Sequence, residues 1–217
     1  MKRVLIILML LYLPGKVVKA QFFDTLQAAI EQKGRFTFSF NSRNSFITNN
    51  DAHIFGFMVG VCFDRKFAIG GSFNFLNSVI TKPENVDGQV INATLNFDFI
   101  YYYAEYIMRL GRHWEIDLPL SIGIGTSSYT YYNKGAQVTQ NAQAVIPVEP
   151  SIEVDYDFNK YFGLYVQTGY RWMLVNNNNI NENFNSPTYS FGILLFPFEI
   201  YAGIFPHTKL AHIIEDN

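Results

Sequence analysis

Charged residues are scarce in this 217-residue chain, and its acids recur at spacings that gather them. Glu115 and Asp117 are two apart; Glu149, Glu153 and Asp155 follow one another by four and by two. Side chains two apart on an extended strand share a face, so each set lines one side of its own strand. Asp98 stands in phase with Asn92, Thr94 and Asn96, and is grouped with them. The cations that fall in the same register are Arg35 and Arg171. Carboxylates gathered on neighbouring strands hold a cation or polar ligand, or form a charge network with nearby arginines.

Other constellations are thinner. His53 with Ser45 or Asp51 is the one base with an adjacent nucleophile or acid. His207 and His212, with Glu215 nearby, lie five apart, a loose spacing for a metal and an ordinary one for a solvated tail. Cys62, the one cysteine, shares a strand face with Gly56 and Gly60, where it is expected to be a small filler. Asn92-Ala93-Thr94 matches a glycosylation acceptor but falls within a strand pattern. There is no Gly-rich phosphate loop, and neither a cofactor nor a resident metal is expected.

The elements that must position these residues are strands. In 113–126, HWEIDLPLSIGIGT, the even positions Trp114, Ile116, Leu118, Leu120, Ile122 and Ile124 are apolar. The odd ones are Glu115, Asp117, Pro119, Ser121, Gly123 and Gly125. This alternation returns along the chain, over 35–41, 53–63, 66–76, 90–106, 144–157, 161–175 and 188–198. In the fourth of these eight strands, the phase that puts apolar residues outside sends Phe97 and Phe99 outward and Asn96 and Asp98 inward. The polar stretches 41–51, 77–89, 127–143 and 176–187 read as long loops, alternating with short turns at Asp64-Arg65, Gly111-Arg112 and Asn159-Lys160. An even strand number with long and short connections alternating predicts an all-β, eight-stranded antiparallel up-and-down barrel. Its apolar face meets lipid and its polar face a narrow interior. Aromatics near the strand ends form two girdles: Phe63, Phe67, Tyr101, Tyr103, Trp114, Phe162 and Phe196 at the short turns, Phe55, Phe75, Trp172 and Tyr189 at the loops.

Composition agrees. Only 16% of residues are charged and 17% are aromatic, with a mean hydropathy of +0.05. A soluble domain carries about 25% charge, and a helical membrane protein would be far more hydropathic. Residues 1–20 have the form of a secretory signal: Lys2-Arg3, ten apolar residues, Pro14-Gly15, and Val18-Lys19-Ala20 before Gln21. Its removal takes four cations and no acid. That leaves 12 Lys and Arg against 18 Asp and Glu, a net charge of −6, which speaks against nucleic-acid binding. Residues 21–33 follow as a periplasmic amphipathic segment with a short helix over 24–33, 34–198 as the transmembrane barrel, and 199–217 as a periplasmic tail. In that tail Leu210, Ile213 and Ile214 lie at helical spacing.

With this pattern, and with the turns FDRKF and DFNKYF, residues 34–198 resemble the small eight-stranded bacterial outer-membrane barrels, the OmpX, OmpW and PorT-like group. The resemblance implies residence in the outer membrane of a Gram-negative-type envelope, among its lipid and lipopolysaccharide. It also implies a non-enzymatic structural, adhesive or secretion-assisting role, with envelope proteins meeting the tail. Its alternatives are a lipid-A-modifying enzyme, for which His53 would be the base, and a narrow channel or lateral-opening transporter for small or apolar solutes. The chain departs from the group in running on past Phe198, and in Pro119, Pro147 and Pro150, which fall inside the fifth and sixth strands and should distort their pairing. Eight strands leave an interior just wide enough for side chains. The lumen set Arg35, Asp98, Glu115, Asp117, Glu149, Glu153, Asp155 and Arg171 is therefore expected to be a structural charge network with Arg35 as counter-charge of the acids.

Overall fold

The computed structural model describes residues 24, 26–32, 34–86 and 88–205. The signal segment, its cleavage site and the expected helix near 210–214 lie outside the described residues. Ahead of the barrel, Asp24 and residues 26–30 are helical, as the amphipathic pattern predicts. Nine strands follow: β1 (Gly34–Ile47), β2 (Asn50–Phe63), β3 (Phe67–Leu76), β4 (Thr81–Val86), β5 (Gln89–Leu110), β6 (Trp114–Asn133), β7 (Ala136–Asp157), β8 (Phe162–Val175) and β9 (Ser186–Leu195). The helix α1 (Pro197–Ile204) ends the described chain.

Eight of these strands form a ring in the order β3-β2-β1-β9-β8-β7-β6-β5, closed by pairing of β3 with β5. β4 pairs only with the outer end of β5, from Thr81–Thr94 to Val86–Gln89, and is an added flap. All pairings are antiparallel. The expected eight-stranded up-and-down barrel is therefore present. Its tight turns need left-handed backbone, which Asp64 and Arg65 (φ 49° and 52°), Gly111 (φ 80°) and the Lys134-Gly135 pair (φ 51° and 82°) adopt.

Three of the expected loops contain strands: β4 lies within 77–89, and two others are mostly ladder. β1 and β2 are joined by Thr48 and Asn49 alone, so most of 41–51 is ladder. β6 and β7 continue to the Lys134-Gly135 turn, so 127–143 is a hairpin. These segments are polar because they stand in water, yet their backbones remain paired. Polarity alone does not separate a loop from a strand that projects beyond a bilayer. At the other end β9 stops at Leu195, three residues before the expected limit, and Pro197 opens α1.

β5 carries the largest correction. Its odd residues face inward: Leu95, Phe97, Phe99 and Tyr101 are all buried. Its even residues Asn92, Thr94, Asn96 and Asp98 face outward, and Tyr101 and Tyr103 do not join the outer aromatic girdle. The register shows why these rings fit inside: Phe99 lies opposite Gly125 and Tyr101 opposite Gly123. A Cβ at Gly125 would stand 2.4 Å from that of Phe99, and one at Gly123 2.7 Å from the Tyr101 ring.

The prolines act as expected. Between β6 and β7 the ladder omits the pairs at Leu118-Pro119 and at Gly123-Ile124, while the register on either side is unchanged. Between β7 and β8 it slips by one residue at Pro147, which is fully buried in the barrel.

Along β6 the outward apolar residues run from Trp114 to Ile124 and then give way to Thr126, Ser128 and Thr130. Ten steps of about 3.3 Å, tilted by about 40°, rise about 25 Å, the height of the apolar band on such barrels. Leu120, Val166, Phe191 and Ile193 in this band are 56–72% exposed. Above it the sense is inverted: Ile47, Ile54, Leu95, Phe97, Phe99, Tyr129, Val145, Ile180 and Phe184 form a core inside the barrel.

Candidate functional site

The interior is divided by a polar layer beneath this core. Glu149, 2% exposed, accepts from Arg43 Nη1 at 2.5 Å, from the Tyr101 hydroxyl at 3.1 Å and from Thr188 Oγ1 at 3.3 Å. Arg43 Nη2 donates to Asn74 Oδ1 at 3.0 Å. Arg171, wholly buried, donates to Phe184 O and Ser45 Oγ at 2.9 and 2.6 Å and lies 5.3 Å over the Phe97 ring. Below the layer is a cavity of about 430 Å³ on the side of the short turns. With the core above it, the cavity is a blind vestibule.

Both charge signs line it, with Arg35, Arg43, Arg65, Arg109 and Lys160 among the cations, and acids gather on one side. Glu105, Glu115, Asp117 and Glu153 line it. Glu115, Asp117 and Asp155 bring carboxylate oxygens within 4.8 Å of one another. Glu115 is held by Arg109 Nε at 2.8 Å. Asp117 and Asp155 are 5% and 7% exposed, and Oδ1 of each is buried without a hydrogen-bond partner. Carboxylates this close need a cation or a shared proton between them.

The expected lumen set is thus brought together in part. Glu115, Asp117, Glu153 and Asp155 form the cluster on β6 and β7, as their spacing predicts. Glu149 and Arg171 belong to the layer above it. Asp98 is not in the lumen: it faces outward, opposite Phe75 on one side and Thr126 on the other. Arg35 is not the counter-charge of the acids. It pairs with Glu199 in the first turn of α1, at the barrel mouth. Arg43 holds Glu149 instead.

Arg43 and Glu105 were hidden for different reasons. Arg43 continues the inward phase of Arg35, Thr37, Ser39 and Asn41, but its polar neighbours read as a loop. Glu105 became an inward residue only when the phase of β5 was reversed. His53 meets Ser42 Oγ at 2.8 Å through Nε2, and Ser45 points to the opposite face. The proposed base and nucleophile are therefore not assembled.

The wall of the vestibule has a seam. β1 and β9 share one ladder pair, Asn44–Tyr189. Above it the seam is fastened by Phe46 N donating to Ser186 Oγ at 2.8 Å and Thr48 N donating to Asn183 O at 2.9 Å. At the mouth it is clasped by Arg35–Glu199. Between these points the cavity is lined by outward-facing Phe36, Phe38, Phe40 and Leu195 as well as by lumen residues, so it opens sideways. The widest gap in the pairing of the ring lies here, whereas the β6–β7 ladder keeps its register past Pro119.

No protein-family model matches the chain, and no curated protein does. Among solved structures, the neisserial surface protein A (NspA) is similar, with a TM-score of 0.53 at 11% identity over 76% of this chain and 100% of that one. Ail, the attachment invasion locus protein of Yersinia pestis, overlaps at a TM-score of 0.46 and 11% identity, over 75% of this chain and 97% of its own. The N-terminal β-barrel domain of Pseudomonas aeruginosa OprF overlaps at 0.42 and 13%, over 74% and 97%. The likeness to NspA supports the small-barrel fold and says nothing about individual residues.

Proposed function

We propose that this chain is a non-enzymatic outer-membrane β-barrel that presents a rigid, closed head of paired hairpins outside the cell, in a structural or adhesive role. The observation that carries this is the change of sense along the barrel. A belt about 25 Å tall is apolar outside, and above it the strands continue with water-facing polar residues around a packed interior. A head with its own core is built to keep its shape. The layer of Arg43, Glu149 and Arg171, with Phe97 and Phe184 above it, would block a through-path and so supports a closed head over a channel. Outer-membrane lipid and lipopolysaccharide would surround the belt, and α1 with the following tail would face the periplasm, available to envelope partners.

Cysteines at Tyr132, Lys134 or Asn178, in a chain carrying Cys62→Ala, should react with an impermeant maleimide on intact cells. Those at Gly111 or Lys160 should react only after lysis. The reverse pattern overturns the topology. Planar-bilayer recordings should show no steady conductance; a stable open current would sink the closed-head reading.

A further inference from the structure

The vestibule, its seam and its acids point to a ligand. β6 is four places from β1 in either direction round the ring, so the wall bearing Asp117 stands across the lumen from the seam. Continuing the Asn44–Tyr189 register would set Ser39 against Leu194, yet no ladder pair forms there among the described residues. Backbone groups left unpaired toward hydrocarbon are costly, so such a seam must border water or a polar ligand. Of the cations that line the cavity, Arg43 is engaged by Glu149, Arg109 by Glu115 and Arg35 by Glu199, and Arg65 and Lys160 stand at the short turns. Asp117 lines this cavity, is nearly fully buried, and has no hydrogen-bond partner at Oδ1.

We propose that the vestibule takes a single-chain cationic amphiphile from the membrane through the β1–β9 seam. Its ammonium group would cross the seam to seat against Asp117 and Asp155, and its hydrocarbon chain would stay on the lipid side of the seam against Phe36, Phe38 and Phe40. A site with an apolar edge open to lipid and buried carboxylates on the wall across from it selects both parts of such a molecule. An inorganic cation would leave the seam unused. A neutral chain would leave the carboxylates unpaired. Arg35–Glu199 closes the base of the seam, so its release would widen the entrance.

This rests on the barrel lying in a bilayer, and the test separates the two. Full-length protein is placed in phosphatidylcholine nanodiscs, and folding is checked by heat-modifiable migration; failure to insert overturns the membrane reading itself. Dodecylammonium, dodecanol and calcium are then titrated by calorimetry. Dodecylammonium should bind and dodecanol should bind about tenfold more weakly or not at all, as expected for loss of a charge-assisted contact. Asp117→Asn with Asp155→Asn should weaken dodecylammonium by about tenfold or more while the barrel stays folded. Bridging the seam with a short bismaleimide, in a Cys62→Ala, Ser39→Cys, Leu194→Cys chain, should abolish binding, and the unbridged triple variant should retain it. Equal binding of dodecanol overturns the charge selection. Calcium that binds and excludes dodecylammonium shows an inorganic cation site instead. Undiminished binding to the bridged protein overturns lateral entry.

Discussion

The lower and upper halves of this barrel share one backbone and one alternation of side chains, but opposite chemistry. In the lower half Phe36, Leu120, Val166 and Phe191 face outward, and Thr37, Asp117, Gln167 and Ser190 face inward. In the upper half Asn96 and Thr130 face outward and share a hydrogen bond of 3.0 Å, while Leu95, Phe97 and Tyr129 are buried inside. The β5–β6 ladder runs through the boundary without a break. The medium outside changes from hydrocarbon to water, and the apolar set moves to whichever side removes it from water. The lower half is stabilised by lipid and backbone pairing and can hold a wet cavity. The upper half must close on a core, as a soluble barrel does.

This contrast can be broken first at the core. Phe97→Ala removes a wholly buried ring that stacks on Phe184 at 4.7 Å, and should cost about 3–5 kcal/mol of unfolding free energy. A change near zero in reversible urea unfolding would show that the head is not packed. Next is the layer between the halves. Arg43→Ala leaves Glu149 buried without its cation and should cost about 3–5 kcal/mol, whereas Arg43→Ala combined with Glu149→Gln should recover part of the loss.

The belt comes third. Leu120→Arg puts a cation into hydrocarbon and should cost about 2–4 kcal/mol, read as reduced assembly into liposomes. Ser128→Arg, eight residues on along the same face, should stay within about 0.5 kcal/mol because it meets water. Equal damage from both would erase the boundary. The smallest effect is expected at the mouth: Arg35 is partly exposed, so Arg35→Ala should cost less than about 1 kcal/mol. A loss as large as that of Arg43→Ala would restore Arg35 to the role that the sequence pattern assigned it.

Alternation along 113–126 is determined by the sequence itself, because a period of two follows from strand geometry alone. Strand number, antiparallel order, and the grouping of Glu115, Asp117, Glu153 and Asp155 on adjacent strands follow from it. Which side of a strand faces the lumen does not. Between positions 99 and 104 β5 is aromatic or aliphatic on both faces, so the pattern there has no preferred sense. Gly123 and Gly125 on its neighbour decide it, by leaving room for Tyr101 and Phe99. The same holds for the charges. Sequence spacing places Arg35 and Arg43 on one face of β1, but ring closure and the position of α1 give Arg35 to Glu199 and Arg43 to Glu149. The single ladder pair between β1 and β9 has no sequence signal, since it depends on how the two ends of the sheet meet. Partners distant in the chain are set by closure of the barrel, and only the tertiary structure carries that information.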